Sequence, residues 1–278
     1  GRPRPRPHIM NQQSLFTPVT KKSFKISDTK DIHSVMQEAF KIAITPRMGP
    51  VNINLPRDVM GKTFDFQEPT KYQIDKLPEA KVSSLMKAVE LLIKAKNPVI
   101  IVGAGIKNNS SHETVLALAE LIKAPCCTSA GHGDALPFEH PLNAGQMGPR
   151  GNVVASRLVK EADVILVLGS RLGFNSTFYS YDNINKDASI IHCEIDENSI
   201  GRYFPVEIGI FADAKTVAEQ LLTMLKSHQA KNEAQQWVDD FQAERKAYLE
   251  NRDQNADVTS TPIQPSGLFK ELRQVLPK

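Results

Sequence analysis

The chain has 278 residues, an apolar fraction of 41% and 34 Lys and Arg against 31 Asp and Glu, a length that suggests one or two domains. Arg2, Arg4 and Arg6 lie in the opening GRPRPRPHIM, which reads as a cloning scar; without these three the count is 31 against 31, and the basic balance gives nucleic-acid binding no support. There is no long uncharged apolar run and no signal-peptide pattern, which excludes a transmembrane helix from the reading.

Residues 31–44, DIHSVMQEAFKIAI, set Ile32, Val35, Met36, Ala39, Phe40 and Ala43 at the spacing of an amphipathic helix. GPVNINL, residues 49–55, alternates β-branched residues with Asn as a strand does, and Pro56 stops it. A polar stretch with Pro69 and Pro78 then reads as a linker. From Ala80 helix and strand alternate regularly. A helix over 84–94 has Leu85, Ala88, Val89 and Leu92 on one face, and PVIIV at 98–102 is the continuous apolar run of a strand buried on both sides. Ser110 and Glu113 form a capping-box signature for a helix carrying Val115, Leu118, Ala119 and Ile122. A strand at 125–129 leads into a long Gly- and Pro-containing loop, and a helix follows near 152–160. Strands at 163–168, 189–195 and 206–211 and a helix at 215–226 complete the pattern. The expected fold is α/β, a doubly wound parallel sheet. Beyond it, Ala234, Trp237, Val238, Phe241, Arg245 and Tyr248 trace a helix face, residues 251–266 read as a polar linker, and a last amphipathic helix spans 268–276.

Cys126, Cys127 and Cys193 fall in strand-like apolar segments, and neither a C-x-x-C pair nor an even count points to metal or disulfides. They read as buried structural thiols in a reducing compartment, most simply the cytoplasm. His132, His140 and His192 show no metal spacing, and there is no G-x-S-x-G elbow or Walker loop.

Ligands of a doubly wound sheet bind at the carboxyl ends of its strands. Gly103-Ala104-Gly105 would let backbone approach a phosphate, or would simply make a tight strand-to-helix turn; Asn108 stands where a third fingerprint glycine belongs. Arg171, in Gly169-Ser170-Arg171, could pair with a diphosphate or a base edge, or with a surface carboxylate. Asp196 could accept from a ribose or cap a helical turn. Lying at the ends of several strands of one sheet, the three together favour a nucleotide-shaped cleft.

The order of motifs resembles the acetohydroxyacid (acetolactate) synthase-like family of thiamine-diphosphate-dependent enzymes. PVTK at 18–21 and PRMGPVNINLPRD at 46–58 resemble the end of the pyrimidine-binding domain. KNPVIIVGAG at 96–105 resembles the opening of the central domain, and HPLNAGQMGPRG, ADVILVLGSRL, SIIHCEIDENSIG and FADAKTVAEQL follow in the family's order. With residues 1–9 set aside as a tag, the resemblance implies 10–75 as the end of the pyrimidine-binding domain plus linker, and 78–228 as the Rossmann-like central domain. It implies 229–265 as helix and linker, and 266–278 as the start of the diphosphate-binding domain. It further implies a parent enzyme, a carboligase or decarboxylase acting on a 2-oxo acid or related acyl donor. That parent would use thiamine diphosphate and magnesium, act on a small molecule rather than nucleic acid or membrane, and assemble as a homo-oligomer, dimer or tetramer. The activating glutamate and the Gly-Asp-Gly metal motif of the family are not in this sequence, so the chain alone is expected to be inactive. Members bind FAD, ADP or nothing in the central domain. Carried over by motif, the cofactor-binding candidates are Arg47, Gly103, Gly105, Ser129, Met147, Gly148, Arg150, Gly169, Arg171, Asp196 and Asp213. Leu172-Gly173-Phe174-Asn175-Ser176 departs from the acidic pair and second arginine of flavin-binding members, Ala212 stands where Gly usually precedes Asp213, and Asn54 replaces an aspartate. Two other functions compete. A non-catalytic adenine-nucleotide module is opposed by the remnants on both flanks, and a sirtuin-type deacetylase by the lack of paired zinc cysteines.

Overall fold

The structure is a computed structural model that describes residues 10–65, 68, 76–108, 110–228 and 233–276. It divides into two compact units, Gly1–Leu77 and Pro78–Lys278. Residues 1–9, read from the sequence as a tag, and most of the stretch around Pro69 lie outside the described residues.

The first unit holds helix α1 (Gln12–Phe16), strand β1 (Lys22–Lys25), helix α2 (Ile32–Ile44), strand β2 (Val51–Asn54) and the short helix α3 (Arg57–Met60). β1 and β2 pair in parallel, Lys22 opposite Val51 and Lys25 opposite Asn54. The asparagines that alternate along β2 support this pairing: Asn52 Nδ2 donates to Ser23 Oγ at 2.9 Å and Asn54 Nδ2 to the Phe24 carbonyl at 3.2 Å. KSFK carries too little hydrophobic signal to announce β1, so the pairing shows only in three dimensions.

The second unit opens with helix α4 (Val82–Lys94), strand β3 (Pro98–Val102) and the single turn α5 (Ala104–Lys107). Helix α6 (His112–Ile122), strands β4 (Cys126–Thr128) and β5 (Asn143–Gln146), helix α7 (Val153–Glu161) and strand β6 (Val164–Leu168) follow. The short helix α8 (Phe174–Thr177), strands β7 (Ser189–Glu194) and β8 (Ile208–Phe211), and helices α9 (Ala214–Ser227), α10 (Gln235–Gln254) and α11 (Pro265–Val275) complete it. The six strands form one parallel sheet in the order β5-β4-β3-β6-β7-β8. Numbered within this unit that is 3-2-1-4-5-6, the order of a doubly wound dinucleotide-type fold, as the alternation of elements predicts.

Every residue of β3 and β6 is buried, because each strand feeds two cores. Ile100, Val102, Leu166 and Leu168 point to one face, where Leu85, Leu92, Leu118, Ile122, Val217 and Leu221 of α4, α6 and α9 cover them. Val99, Ile101, Ile165 and Val167 point to the other, against Leu158 of α7 and Trp237 and Phe241 of α10. The Trp237 indole also donates to the Pro98 carbonyl at 3.1 Å, fixing α10 to the start of β3. β8 alternates buried Ile208 and Ile210 with exposed Gly209 and Phe211, as an edge strand with one covered side does.

Three local expectations change. The capping box at Ser110 does not form: Ser110 is left-handed (φ 50°), Ser111 is the N-cap of α6, and its buried hydroxyl has no partner among the described residues. The loop before α7 contains a strand, β5, without β-branched residues. It is held by pairing to β4 and by Asn152, whose Nδ2 donates to the Ala144 carbonyl at 2.7 Å while its Oδ1 caps Ala155 N–H at 2.8 Å. The linker expected over 251–266 is shorter at both ends. α10 runs through Gln254, and Pro265 opens α11 at a position where its missing N–H is not needed.

Candidate functional site

β3 and β6 are neighbours whose chains depart in opposite directions, β3 toward β4 and β6 toward β7, so a crevice opens beyond their carboxyl ends. The two turns there interlock. Gly103 N–H donates to the Leu168 carbonyl and Gly105 N–H to the Gly169 carbonyl, both at 3.1 Å. A Cβ on Gly103 would lie 2.4 Å from Gly169 O, and one on Gly105 would lie 2.8 Å from Gly169 Cα. The strand-to-helix-turn reading of these glycines therefore has a concrete basis: their missing side chains make room for the turn of β6.

The loop after β6 also reaches the loops after β4 and β5. Ser176 Oγ accepts from Ala130 N–H at 2.9 Å, and the Ser176 carbonyl lies where a Cβ on Gly148 would be, 2.3 Å away. Gly148 N–H donates to Ser156 Oγ at 3.2 Å. Ser129 and Met147 are anchored through their own N–H groups to Val102 and Thr128 carbonyls, at 2.9 and 3.0 Å. The Met147 side chain is wholly buried in the core on the α7 side. Three loops thus converge on α8 at the carboxyl end of the sheet.

Charge gathers at the same end. His132 is pushed toward its neutral form, first by burial and then by Lys107 and Arg171, with Asp134 opposing, which puts four charged or titratable groups in one neighbourhood. Lys107 Nζ lies 2.8 Å from Asp134 Oδ2, whereas Arg171 is exposed and makes no ion pair among the described residues. His132 Nδ1 is enclosed and has no hydrogen-bond partner among the described residues. Gly131 and Gly133, on either side of it, face open space: a Cβ at either would meet nothing within 4 Å. Arg150 is exposed with its guanidinium 5.9 Å from the Phe178 ring centre. This mouth of Lys107, His132, Arg150 and Arg171 beside open glycine backbone can receive an anionic group.

The other candidates have internal tasks. Asp196 Oδ1 accepts from Asn198 N–H at 3.1 Å and Oδ2 from the Ser199 hydroxyl at 2.9 Å, the N-cap arrangement. Asp213 Oδ1 caps α9 by accepting from Thr216 N–H at 3.0 Å. Arg47 belongs to the first unit, where it is exposed between α2 and β2. Lys107, His132 and Ser176 were not singled out as binding residues in the sequence. Their signals were faint: a lysine one turn after Gly105, a histidine between two glycines, and a serine in the segment that departs from the flavin-type pattern. Among the described residues no group of three His, Cys, Asp or Glu could hold a metal ion. No Gly-Asp-Gly triplet occurs in the sequence, so the chain's own residues make no magnesium–diphosphate site of that kind.

The family described as "Thiamine pyrophosphate enzyme, central domain" matches residues 85–221, the span from α4 through α9. Residues 85–221 are a thiamine pyrophosphate enzyme central domain of the acetolactate synthase-like kind. This central domain and its flanks are 33% identical to a probable acetolactate synthase large subunit of Methanocaldococcus jannaschii, over 94% of this chain and 44% of that protein. They are 35% identical to an acetolactate synthase large subunit of Corynebacterium glutamicum, over 82% of this chain and 37% of that protein. They are also 36% identical to a sulfoacetaldehyde acetyltransferase of Rhodobacter capsulatus, over 78% of this chain and 37% of that protein. The matched segments span less than half the length of these relatives.

Proposed function

We propose that the chain supplies the central domain of a thiamine-diphosphate-dependent carboligase or decarboxylase acting on a 2-oxo acid or a related acyl donor. In this reading the crevice takes an adenine nucleotide weakly instead of retaining a flavin. The observation that carries it is the combination of the family match over 85–221 with the exposed Arg171 at the switch point of that sheet, beside His132 and the Lys107–Asp134 pair. Thiamine diphosphate, when bound to the parent enzyme, would supply an electron sink for negative charge at the carbonyl carbon of the acyl donor. This chain contributes no residue of the cofactor's metal motif, so its own part is architectural: it presents the crevice and carries the flanking units. The parent uses magnesium, assembles as a homo-oligomer and works in a reducing compartment such as the cytoplasm. That last point is supported by three buried, unpaired cysteines.

The nucleotide part is supported by the exposed Arg171, the open backbone at Gly131 and Gly133, and the absence of the acidic pair and second arginine after Arg171. Its test is a pair of equilibrium titrations, adenosine diphosphate beside FAD. Adenosine diphosphate should bind, and Arg171→Ala should weaken it about tenfold, the equivalent of one charge-assisted contact. Stoichiometric yellow protein on purification would overturn this choice of ligand. The catalytic part is tested by carbon dioxide release from pyruvate with added thiamine diphosphate and magnesium. No release is expected from the 278-residue chain, and turnover by it would refute the assignment of domains.

A further inference from the structure

His192 lies in the middle of β7, is 2% exposed, and has both ring nitrogens engaged by backbone on two different loops. Gly201 N–H donates to Nδ1 at 3.3 Å. Nδ1 is therefore the bare nitrogen, Nε2 carries the proton, and Nε2 donates to the Ser170 carbonyl at 2.8 Å. Ser170 sits between Gly169 and Arg171 on the turn that interlocks with Gly103 and Gly105. Gly201 opens the segment 201–206. Its N–H bond to His192 ties that segment to β7. The segment continues into Tyr203, stacked on Tyr179 of the β6 loop with ring centres 4.2 Å apart. Tyr179 and its neighbour Phe178 are both left-handed, at φ 55° and 48°. Bulky residues hold that conformation only where their surroundings impose it.

We propose that His192 is a pH-sensitive latch: as the neutral Nε2–H tautomer it ties the Arg171-bearing turn after β6 to the 201–206 loop, and protonation at Nδ1 releases that loop. The balance is simple. A proton from solvent fills the Nδ1 lone pair; the Ser170 bond survives, because Nε2 still donates, and Gly201 N–H is left facing another donor. Tyr203 then loses its anchor, and Tyr179 and the β6 loop lose the ring that covers them. Burial favours the neutral ring and the Ser170 carbonyl opposes this more weakly. The charged groups around it are Arg171 beyond Ser170 on the β6 turn, Glu194 and Asp196 on and after its own strand, and Arg202 and Glu207 on the following loop. Its β8 neighbour is the uncharged Gly209. The latch is thus held at neutral pH and opens as pH falls below the ordinary histidine value near 6.5.

The test is hydrogen exchange by mass spectrometry, corrected for intrinsic rates, at about pH 7.5 and about pH 5, with Trp237 fluorescence confirming that the domain stays folded. Peptides covering 199–204 should exchange roughly two- to tenfold faster at the lower pH, as expected for one lost hydrogen bond. His192→Gln keeps a donor for Ser170 and an acceptor for Gly201 without a titrating proton, and it should abolish the difference. Equal corrected exchange at both pH values in the wild type, or the same pH dependence in His192→Gln, overturns the latch. If His192→Gln does not fold, the wild-type ring ¹⁵N shifts of His192 and the Gly201 amide shift must titrate together, and separate midpoints overturn it. A second arm rests on the proposed nucleotide site: adenosine diphosphate affinity should fall with pH in the wild type and not in His192→Gln. Failure of adenosine diphosphate to bind at either pH removes that site and leaves the exchange result to decide the latch.

Discussion

Gly103→Ala tests whether the interlock of the two strand-end turns holds the central domain together. Gly103 has φ −129°, which any residue can adopt, so the substitution meets no backbone strain and its whole cost is steric. The added methyl would stand 2.4 Å from Gly169 O, 2.7 Å from Ser170 Cβ and 2.8 Å from Ser170 Cα. Two of the three obstacles are main-chain atoms that cannot rotate away, so the turn after β6 must move. Overpacking of this kind costs about 1–3 kcal/mol. The shift also strains the hydrogen bonds from Gly103 and Gly105 to β6, each contributing about 0.5–1.5 kcal/mol. A total of roughly 2–6 kcal/mol follows, a large part of the stability of an ordinary domain. Trp237, the sole tryptophan, is bonded to the first residue of β3, so urea unfolding followed by its fluorescence reports on this sheet. Gly173→Ala is the control. Gly173 has φ −71° and open space where the methyl would go, so that variant should be unchanged or more stable by about 0.4–1 kcal/mol. A midpoint for Gly103→Ala equal to that of wild type, at an equal m-value, would refute the interlock.

Trp237→Phe leaves the Pro98 carbonyl without its donor and should cost about 1–3 kcal/mol, read by thermal unfolding followed by circular dichroism; an unchanged midpoint would mean that α10 does not hold β3. Asp213→Ala removes the cap of α9 and should lower stability by about 1 kcal/mol in urea, with Asp213→Asn retaining most of it. Burial pushes the Cys126, Cys127 and Cys193 thiols up, so none should react with a thiol reagent at mildly alkaline pH until denaturant is added, and fast labelling of the native chain would contradict their placement. Burial holds His132 and His192 below the ordinary histidine value. Both therefore contribute stability that is complete above about pH 6.5 and is lost as pH falls through their folded values. Acid titration of the unfolding free energy should show this loss, reduced in His192→Gln.

Where the sequence was legible, a single physical signal dominated. PVIIV and VILVL are continuous apolar runs, and both became central strands buried on two faces. The helix faces drawn through Leu85, Ala88 and Leu92, and through Trp237, Val238 and Phe241, are the faces that pack. Elements held by other means were not legible. NAGQ has no periodicity; it is a strand because β4 offers an unpaired edge and Asn152 bonds to the Ala144 carbonyl. KSFK depends likewise on β2. The site was half legible for the same reason. Strand ends mark the crevice in one dimension, whereas the meeting of Lys107, His132 and Arg171 needs three separate loops to fold together.

The two glycine-bearing turns that point most directly to a phosphate are also occupied by each other. Gly103, Gly105 and Gly169 stand within van der Waals reach across the switch point, with Gly169 left-handed at φ 63° so that its carbonyl can receive Gly105 N–H. This interlock is a requirement of the sheet order itself: β3 and β6 lie side by side, and their exits must pass closely before diverging. It would be needed whether or not a ligand binds. Selectivity then falls to the residues around the interlock: the open backbone at 131–133, the exposed Arg150 and Arg171, and the segment 172–179 with its half-exposed Phe174, Phe178 and Tyr179. Exchanging the half-exposed side chains of Phe174 and Phe178 should alter what the crevice accepts and leave the fold intact, whereas any side chain at Gly103 should damage the fold first. Stability and ligand choice are thereby assigned to different atoms of the same strand ends.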